Sequence, residues 1–215
     1  MAKEMDLRHK AKHILLTGRS GSGKTTLAEE IIRDESNQDL VFIFDPETEF
    51  ASRFDGDAVI CGALAEMGAS DDARIFIYCP PVETDLQNEF DDFCHYCFVF
   101  TTNFDGGVLM VIDELQEYVD ASNFPEDFKR CITRGRRYKL DMLYISSQPN
   151  LLHNAIRAQT SESIAFAQSD ELPVKYNRQL GFDETEILAL QDLSYLRKKT
   201  GHEVKRGEIS FKKKS

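Results

Sequence analysis

The chain has 215 residues, 41% of them hydrophobic, with a net charge of −11 and five cysteines. That length supports one sizeable core and, with no stretch resembling a linker, predicts a single domain over 1–215. No segment approaches the roughly 20 apolar residues needed to cross a bilayer, and the charged start "MAKEMDLRHKAKHILL" lacks a signal-type apolar run. The expectation is a cytoplasmic protein with reduced thiols and no integral membrane segment.

The first apolar run, "HILLTG" at 13–18, leads directly into "GRSGSGKT" at 18–25, which a helical pattern, "TTLAEEIIR", follows. Strand, G-x-x-x-x-G-K-[ST] and helix in that order define a loop that cradles phosphates. Gly18, Gly21 and Gly23 let the backbone curl so that successive N–H groups face phosphate oxygens. The loop residues Arg19, Ser20 and Ser22 and the helix-opening Thr26 complete the predicted nucleotide contacts. Thr26 itself suits the helix surface better than a second metal position. Lys24 reaches the β- and γ-phosphates of ATP, and the Thr25 hydroxyl ligates Mg²⁺.

Further β-rich runs follow: "LVFIFDP" (40–46), "RIFIYCPP" (74–81), "GVLMVIDE" (107–114), "DMLYISSQ" (141–148) and "ESIAFAQ" (162–168). Near-continuous apolar strands separated by amphipathic segments predict an α/β three-layer fold with a largely parallel sheet. Cys94 and Cys97, in "DDFCHYCFVF", have no second pair to complete a zinc site and read as buried helical cysteines one turn apart. After residue 170, "ELPVKYNRQLGF" and "DETEILALQ" predict two helices, the second capped by Asp183. A hairpin around Thr200-Gly201 and a basic tail at 212–215 end the chain.

A phosphate loop alone does not separate kinases, switches and motors. "GVLMVIDE" ends in Asp113-Glu114, where the aspartate holds Mg²⁺ through water and the glutamate polarises a water in line with the γ-phosphate. Kinases need no water-activating glutamate, so the pair favours hydrolysis. Gln148, at the end of a later strand, is placed to sense the γ-phosphate.

Charge is unevenly spread. Residues 34–128 hold two basic residues, Arg53 and Arg74, against 23 acids, whereas from 129 onward 17 Lys or Arg face 10 acids. Arg134, Arg136 and Arg137 precede the strand that ends at Gln148, so they lie at the opposite end of the sheet from it. They cannot easily reach their own nucleotide and could serve a neighbour's as an arginine finger in a ring. The alternatives are a solvated helix C-terminus, where basic residues favour the dipole, and a kinase-style lid over their own phosphates.

With these motifs in place, "RGRRYKLDMLYISSQPNLLHNAIRAQTSESIAFAQ" resembles the FtsK/HerA branch of ring-forming ATPases. "FIFDPETEF" is similar to a D-P-x-x-E-[YF] segment of the HerA group, in which Asp45 and Glu49 lie near the nucleotide or in a surface loop. The resemblance covers roughly 13–170 and implies a RecA/ASCE-type P-loop core there, with helices and hairpin at 171–211 as an extension. It implies a hexameric ring that hydrolyses ATP and moves double-stranded DNA through a pore. The interface arginine maps onto Arg136 or Arg137 and the sensor onto Gln148. With no membrane anchor or added DNA-reading domain visible, the size resembles genome-packaging ATPases of tectivirus-like viruses. That implies a capsid or portal-vertex partner and association with the virion at the packaging vertex. The alternatives are a nucleoside or small-molecule kinase and a zonula-occludens-toxin-like phage assembly ATPase. For a DNA motor, the candidate phosphate contacts, without sequence preference, are Lys129, Arg130, Arg157, Lys198, Lys199, Lys205 and Arg206.

Overall fold

Each of the six apolar runs forms a strand whose side chains alternate between two buried layers. In β1 (His13–Thr17), Leu15 packs into one layer while Ile14 and Leu16 enter the other. In β2 (Leu40–Phe44), Phe42 and Phe44 point one way and Val41 and Ile43 the other. A sheet covered on both faces has no solvent side for polar residues, which is why these runs are continuously apolar. The computed structural model describes residues 11–35, 37–70 and 72–210. The basic tail expected at 212–215 lies outside the described residues.

The remaining strands are β3 (Val59–Cys61), β4 (Ile75–Tyr78), β5 (Val108–Ile112), β6 (Leu140–Ser146), β7 (Glu162–Phe166), β8 (Ser194–Lys199) and β9 (Lys205–Glu208). They form one sheet in the order β3-β4-β2-β5-β6-β1-β7-β8-β9. The first seven strands of the sequence run parallel, and β8 and β9 are antiparallel. One face is covered by α1 (Lys24–Glu30), which runs on into a π-helical turn at Ile31–Glu35, and by α2 (Glu49–Arg53). The other carries α3 (Leu86–Asn103) and α4 (Glu126–Arg134), with Ile156 of α5 (Asn154–Gln159) joining that core. Cys94 and Cys97 are buried on α3, as their spacing predicts.

Two features differ from the sequence reading. Strand β3 was not foreseen: it is three residues long at the sheet edge, and its middle residue, Ile60, is 50% exposed, so it carries no apolar run to recognise. The C-terminal hairpin forms around Thr200-Gly201 as expected but is not an appendage, because β8 pairs with β7 along Glu162–Phe166 and prolongs the main sheet. The helices α6 (Glu171–Gln179) and α7 (Glu184–Leu188) cover that end through a small third core of Val174, Phe182, Ile187 and Leu190 against Ala165 and Leu196. Asp183 caps α7, accepting the N–H groups of Thr185 and Glu186.

Parallel strands collect their C-terminal ends on one edge, and the residues following β1, β2, β5, β6 and β7 there are Gly18, Asp45, Asp113, Ser147 and Ala167. In open α/β sheets that edge is where ligands bind.

Candidate nucleotide site

The loop after β1 hangs between its two neighbouring strands. The Gly18 N–H donates to the Ser146 carbonyl at 3.3 Å and the Arg19 N–H to the Ala167 carbonyl at 2.9 Å. Gly18 has no room for a side chain, since a Cβ would lie 2.6 Å from that of Phe166. Gly23, at φ 109°, enters α1 in a conformation L residues avoid, and a Cβ there would meet Ile209 Cδ1 at 2.8 Å. The helix then presents the N–H groups of Lys24, Thr25 and Thr26, which its first turn leaves without intrahelical acceptors. An anion on the loop would supply those acceptors.

Behind the loop stands the C-terminal segment. The Leu193 N–H donates to the Ser22 carbonyl at 3.0 Å, the Ile209 N–H to the Leu193 carbonyl at 2.9 Å, and Arg19 pairs with Asp192 at 2.7 Å. Ser20 is exposed at the loop apex, and the Ser22 hydroxyl is buried without a partner. Lys24 is 5% exposed and donates from Nζ to the Arg19 carbonyl at 3.1 Å. Burial pulls its pKa down, against the charges of Glu114, Asp113 and Glu49.

The acidic pair sits at the end of β5. Burial, and then the adjacent Glu114 charge, push the Asp113 pKa from 3.8 up to about 7. Glu114 has left-handed backbone angles (φ 42°, ψ 51°) and turns its carboxylate towards β6. Its Oε2 accepts from Gln116 Nε2 at 2.6 Å, Ser147 Oγ at 2.7 Å and the Ser147 N–H at 3.0 Å. Gln116 is fixed in turn by Ser146 Oγ, which donates to its Oε1 at 2.6 Å. Burial works against the Glu114 charge, but the hydrogen bonds from Gln116 and Ser147 and the nearby Lys24 outweigh it, and the net pKa is lowered. One carboxyl is thus held ionised while its neighbour is pushed towards neutrality.

Gln116, Ser146 and Ser147 escaped the sequence reading. Each stands within two positions of a residue that reading selected, but none matches a motif. Only the fold, by placing β5 beside β6, brings them together.

A carboxyl with a raised pKa favours folding while protonated, a contribution complete below the unfolded value of 3.8 and lost as pH rises through about 7. Asp113→Asn should therefore melt several degrees higher than the parent at about pH 8 in metal-free buffer, with the gain shrinking in acid. Thermal melts at both pH values check this; equal melting temperatures at about pH 8 would remove the charge conflict.

Gln148 is exposed and lines an open cleft of about 550 Å³ together with Arg19, Ser20, Ser147 and Gln168. Asp45 is 1% exposed, and its two oxygens accept the N–H groups of Glu49 and Ala51 at 3.0 and 2.8 Å, so it caps α2 instead of facing the loop. Glu49 lies close enough to act on the charges of Lys24 and Asp113, and it pairs with Arg53 at 2.8 Å. Thr26 is half-buried, and its hydroxyl accepts from Arg53 at 3.4 Å.

The other predicted residues lie elsewhere. Arg134 ends α4, and Arg136 and Arg137 occupy a 3₁₀ turn at Gly135–Tyr138 just before β6 begins. That is the opposite sheet edge from Gln148, as expected, and all three are exposed with no side-chain partner among the described residues. Lys129 and Arg130 pair on α4 with Glu126 and Asp127, at 3.2 and 2.7 Å. Lys199 lies 3.8 Å from Glu162, Lys198 donates to the Gly181 carbonyl at 3.2 Å, and Lys205 and Arg206 are exposed on β9.

The residues fit a nucleotide with magnesium. The Thr25 hydroxyl makes no hydrogen bond among the described residues, and Asp113 and Glu114 repel each other in the manner a dication relieves. No group of three or more His, Cys, Asp or Glu able to hold a metal occurs among the described residues. A magnesium ion bound mainly by phosphates and water needs only one or two protein oxygens.

The fold resembles that of solved P-loop ATPases, and the loop carries their phosphate-binding pattern. The family model of the type IV secretion-system coupling protein DNA-binding domain matches residues 4–69. No curated protein sequence matches the chain. Among solved structures, the genome-packaging NTPase B204 of Sulfolobus turreted icosahedral virus 2, in complex with sulfate, superposes with a TM-score of 0.77 at 12% identity, covering 94% of this chain and 98% of that one. VirB4 of Thermoanaerobacter pseudethanolicus gives 0.66 at 12% identity over 94% and 90%. The N-terminal domain of zonular occludens toxin from Neisseria meningitidis gives 0.51 at 16% identity over 95% and 96%. At these identities the likeness is one of fold, and the FtsK/HerA-type resemblance holds at that level. No helix among the described residues is long and apolar enough to cross a membrane.

Proposed function

We propose that the chain is an ATPase motor that moves double-stranded DNA, acting as a ring to package a viral genome. The observation that carries the hydrolytic part is the Glu114 carboxylate, ionised and fixed by Ser147 and Gln116 at the strand end next to the phosphate loop. The near end-to-end superposition on a packaging NTPase supports the finer assignment.

In this reading the loop N–H groups and Lys24 hold the triphosphate, and Thr25, with Asp113 through water, would hold Mg²⁺, which would screen phosphate charge. Glu114 takes the proton of the attacking water, and Gln148 orients that water or the γ-phosphate. Arg136 or Arg137 reaches a neighbouring subunit's nucleotide. The ring is hexameric, and a capsid or portal protein receives it.

Steady-state ATP hydrolysis, with and without linear double-stranded DNA, over a range of protein concentrations tests the reading. Turnover should rise with both. Turnover indifferent to both, but requiring a small-molecule acceptor, would establish a kinase instead.

A further inference from the structure

At the sheet edge opposite the phosphate loop, a notch of about 240 Å³ opens between the start of β7, the end of α6 and the hairpin turn. Its lining includes Arg157, Ser161, Ser163, Lys198 and Thr200, and contains no carboxylate among the described residues. In a chain of net charge −11, a recess with two cations and no acid is unusual in kind.

The two cations differ from their basic neighbours. Lys129, Arg130 and Lys199 each lie against a carboxylate. Arg157 is half-buried and has no side-chain partner among the described residues. Lys198 donates to one backbone carbonyl, Gly181, which leaves two of its three N–H groups without a partner among the described residues.

The floor of the notch is preorganised. Ser163 stands directly opposite Lys198 in the β7–β8 register, is 6% exposed, and its hydroxyl has no partner among the described residues. The Ser161 and Thr200 hydroxyls donate to the carbonyls of His13 and Ser161 at 3.1 Å each, and the Thr200 N–H donates to Ser161 at 2.9 Å, pinning the hairpin turn to β7. The hydroxyl of Tyr176, close enough to feel the Arg157 charge, is buried without a partner. Positive charge, a free hydroxyl and a fixed frame are what a tetrahedral anion requires.

We propose that Arg157, Lys198 and Ser163 form a seat for one backbone phosphate of double-stranded DNA. That the anion belongs to DNA rests on the motor reading above; the seat itself rests on the notch. Its open side lets a polymer run past while a single phosphate enters. Arg157 and Lys198 act on the same phosphate, so their contributions to binding are not independent.

The test is the salt dependence of binding to a short labelled linear duplex, measured by fluorescence anisotropy for the parent, Arg157→Gln, Lys198→Gln and the double variant. Thermal melts establish that each variant is folded. Each neutralised phosphate contributes about 0.9 to the slope of log K against log salt. A shared seat predicts a double variant whose slope falls by about 0.9, with affinity at least tenfold weaker at low salt. A fall of about 1.8 would mean two separate phosphate contacts and would overturn the seat, as would folded variants with the parent's slope. If the parent itself fails to bind the duplex, the motor reading fails and the DNA assignment with it. Inorganic phosphate that protects the parent against heating, but not the double variant, would then mark the notch as a site for free phosphate, which also overturns the proposal.

Discussion

Glu114→Gln should bind ATP as the parent does and lose turnover by about 10²–10⁴-fold, the range of a missing general base. The substitution keeps the shape of the side chain and removes its negative charge. Two of the groups that hold Glu114, the Ser147 N–H and the Gln116 amide, are donors that the carbonyl oxygen of a glutamine can still receive. The loop is unaltered, so nucleotide affinity measured by titration calorimetry should be unchanged. Ser147→Ala supplies the contrast. Glu114 keeps its charge there but loses one anchor, so turnover falls far less and shifts in pH dependence as the Glu114 pKa rises towards its ordinary value. Preserved turnover in Glu114→Gln would remove the residue as the base.

The second large effect belongs to Arg136 and Arg137. Replacing the functional one by Ala should lower turnover by about 10³–10⁵-fold while leaving nucleotide affinity in place. Neither side chain can reach its own phosphate loop, because the turn at Gly135–Tyr138 precedes β6 whereas Gly18 follows β1, at the other end of the same parallel sheet. Neither has a side-chain partner among the described residues whose loss would unfold the chain. A subunit lacking the arginine and a subunit lacking Lys24 should therefore partly restore each other's turnover when mixed. If no mixture recovers any activity, the assignment in trans loses its basis.

The sequence made the phosphate loop, the acidic pair and six strands legible for one reason: each is a short run with its own physical demand. Glycines at fixed spacing, acids ending an apolar strand and continuous apolar stretches leave marks that need no knowledge of neighbours. What stayed hidden depends on neighbours. Ser147 and Gln116 matter because β6 lies beside β5, and Asp45 proves to be a helix cap because α2 folds back over the end of β2. Strand β3 is too short to show a pattern, and an antiparallel hairpin gives no sign of whether it stands apart or joins a sheet.

The joining of that hairpin bears on how short the chain can be made. The resemblance in sequence stops near residue 170, yet the phosphate loop leans on residues well beyond it: Leu193 holds the Ser22 carbonyl, Asp192 holds Arg19, and Ile209 fills the space beside Gly23. A fragment trimmed at 170 would keep every motif and lose the wall behind the loop, baring Ile164 and Phe166 on β7. The smallest piece that folds around a nucleotide accordingly extends past the end of β9 to Ile209, and a tag or fusion placed directly after that residue would press on the triphosphate cradle from behind.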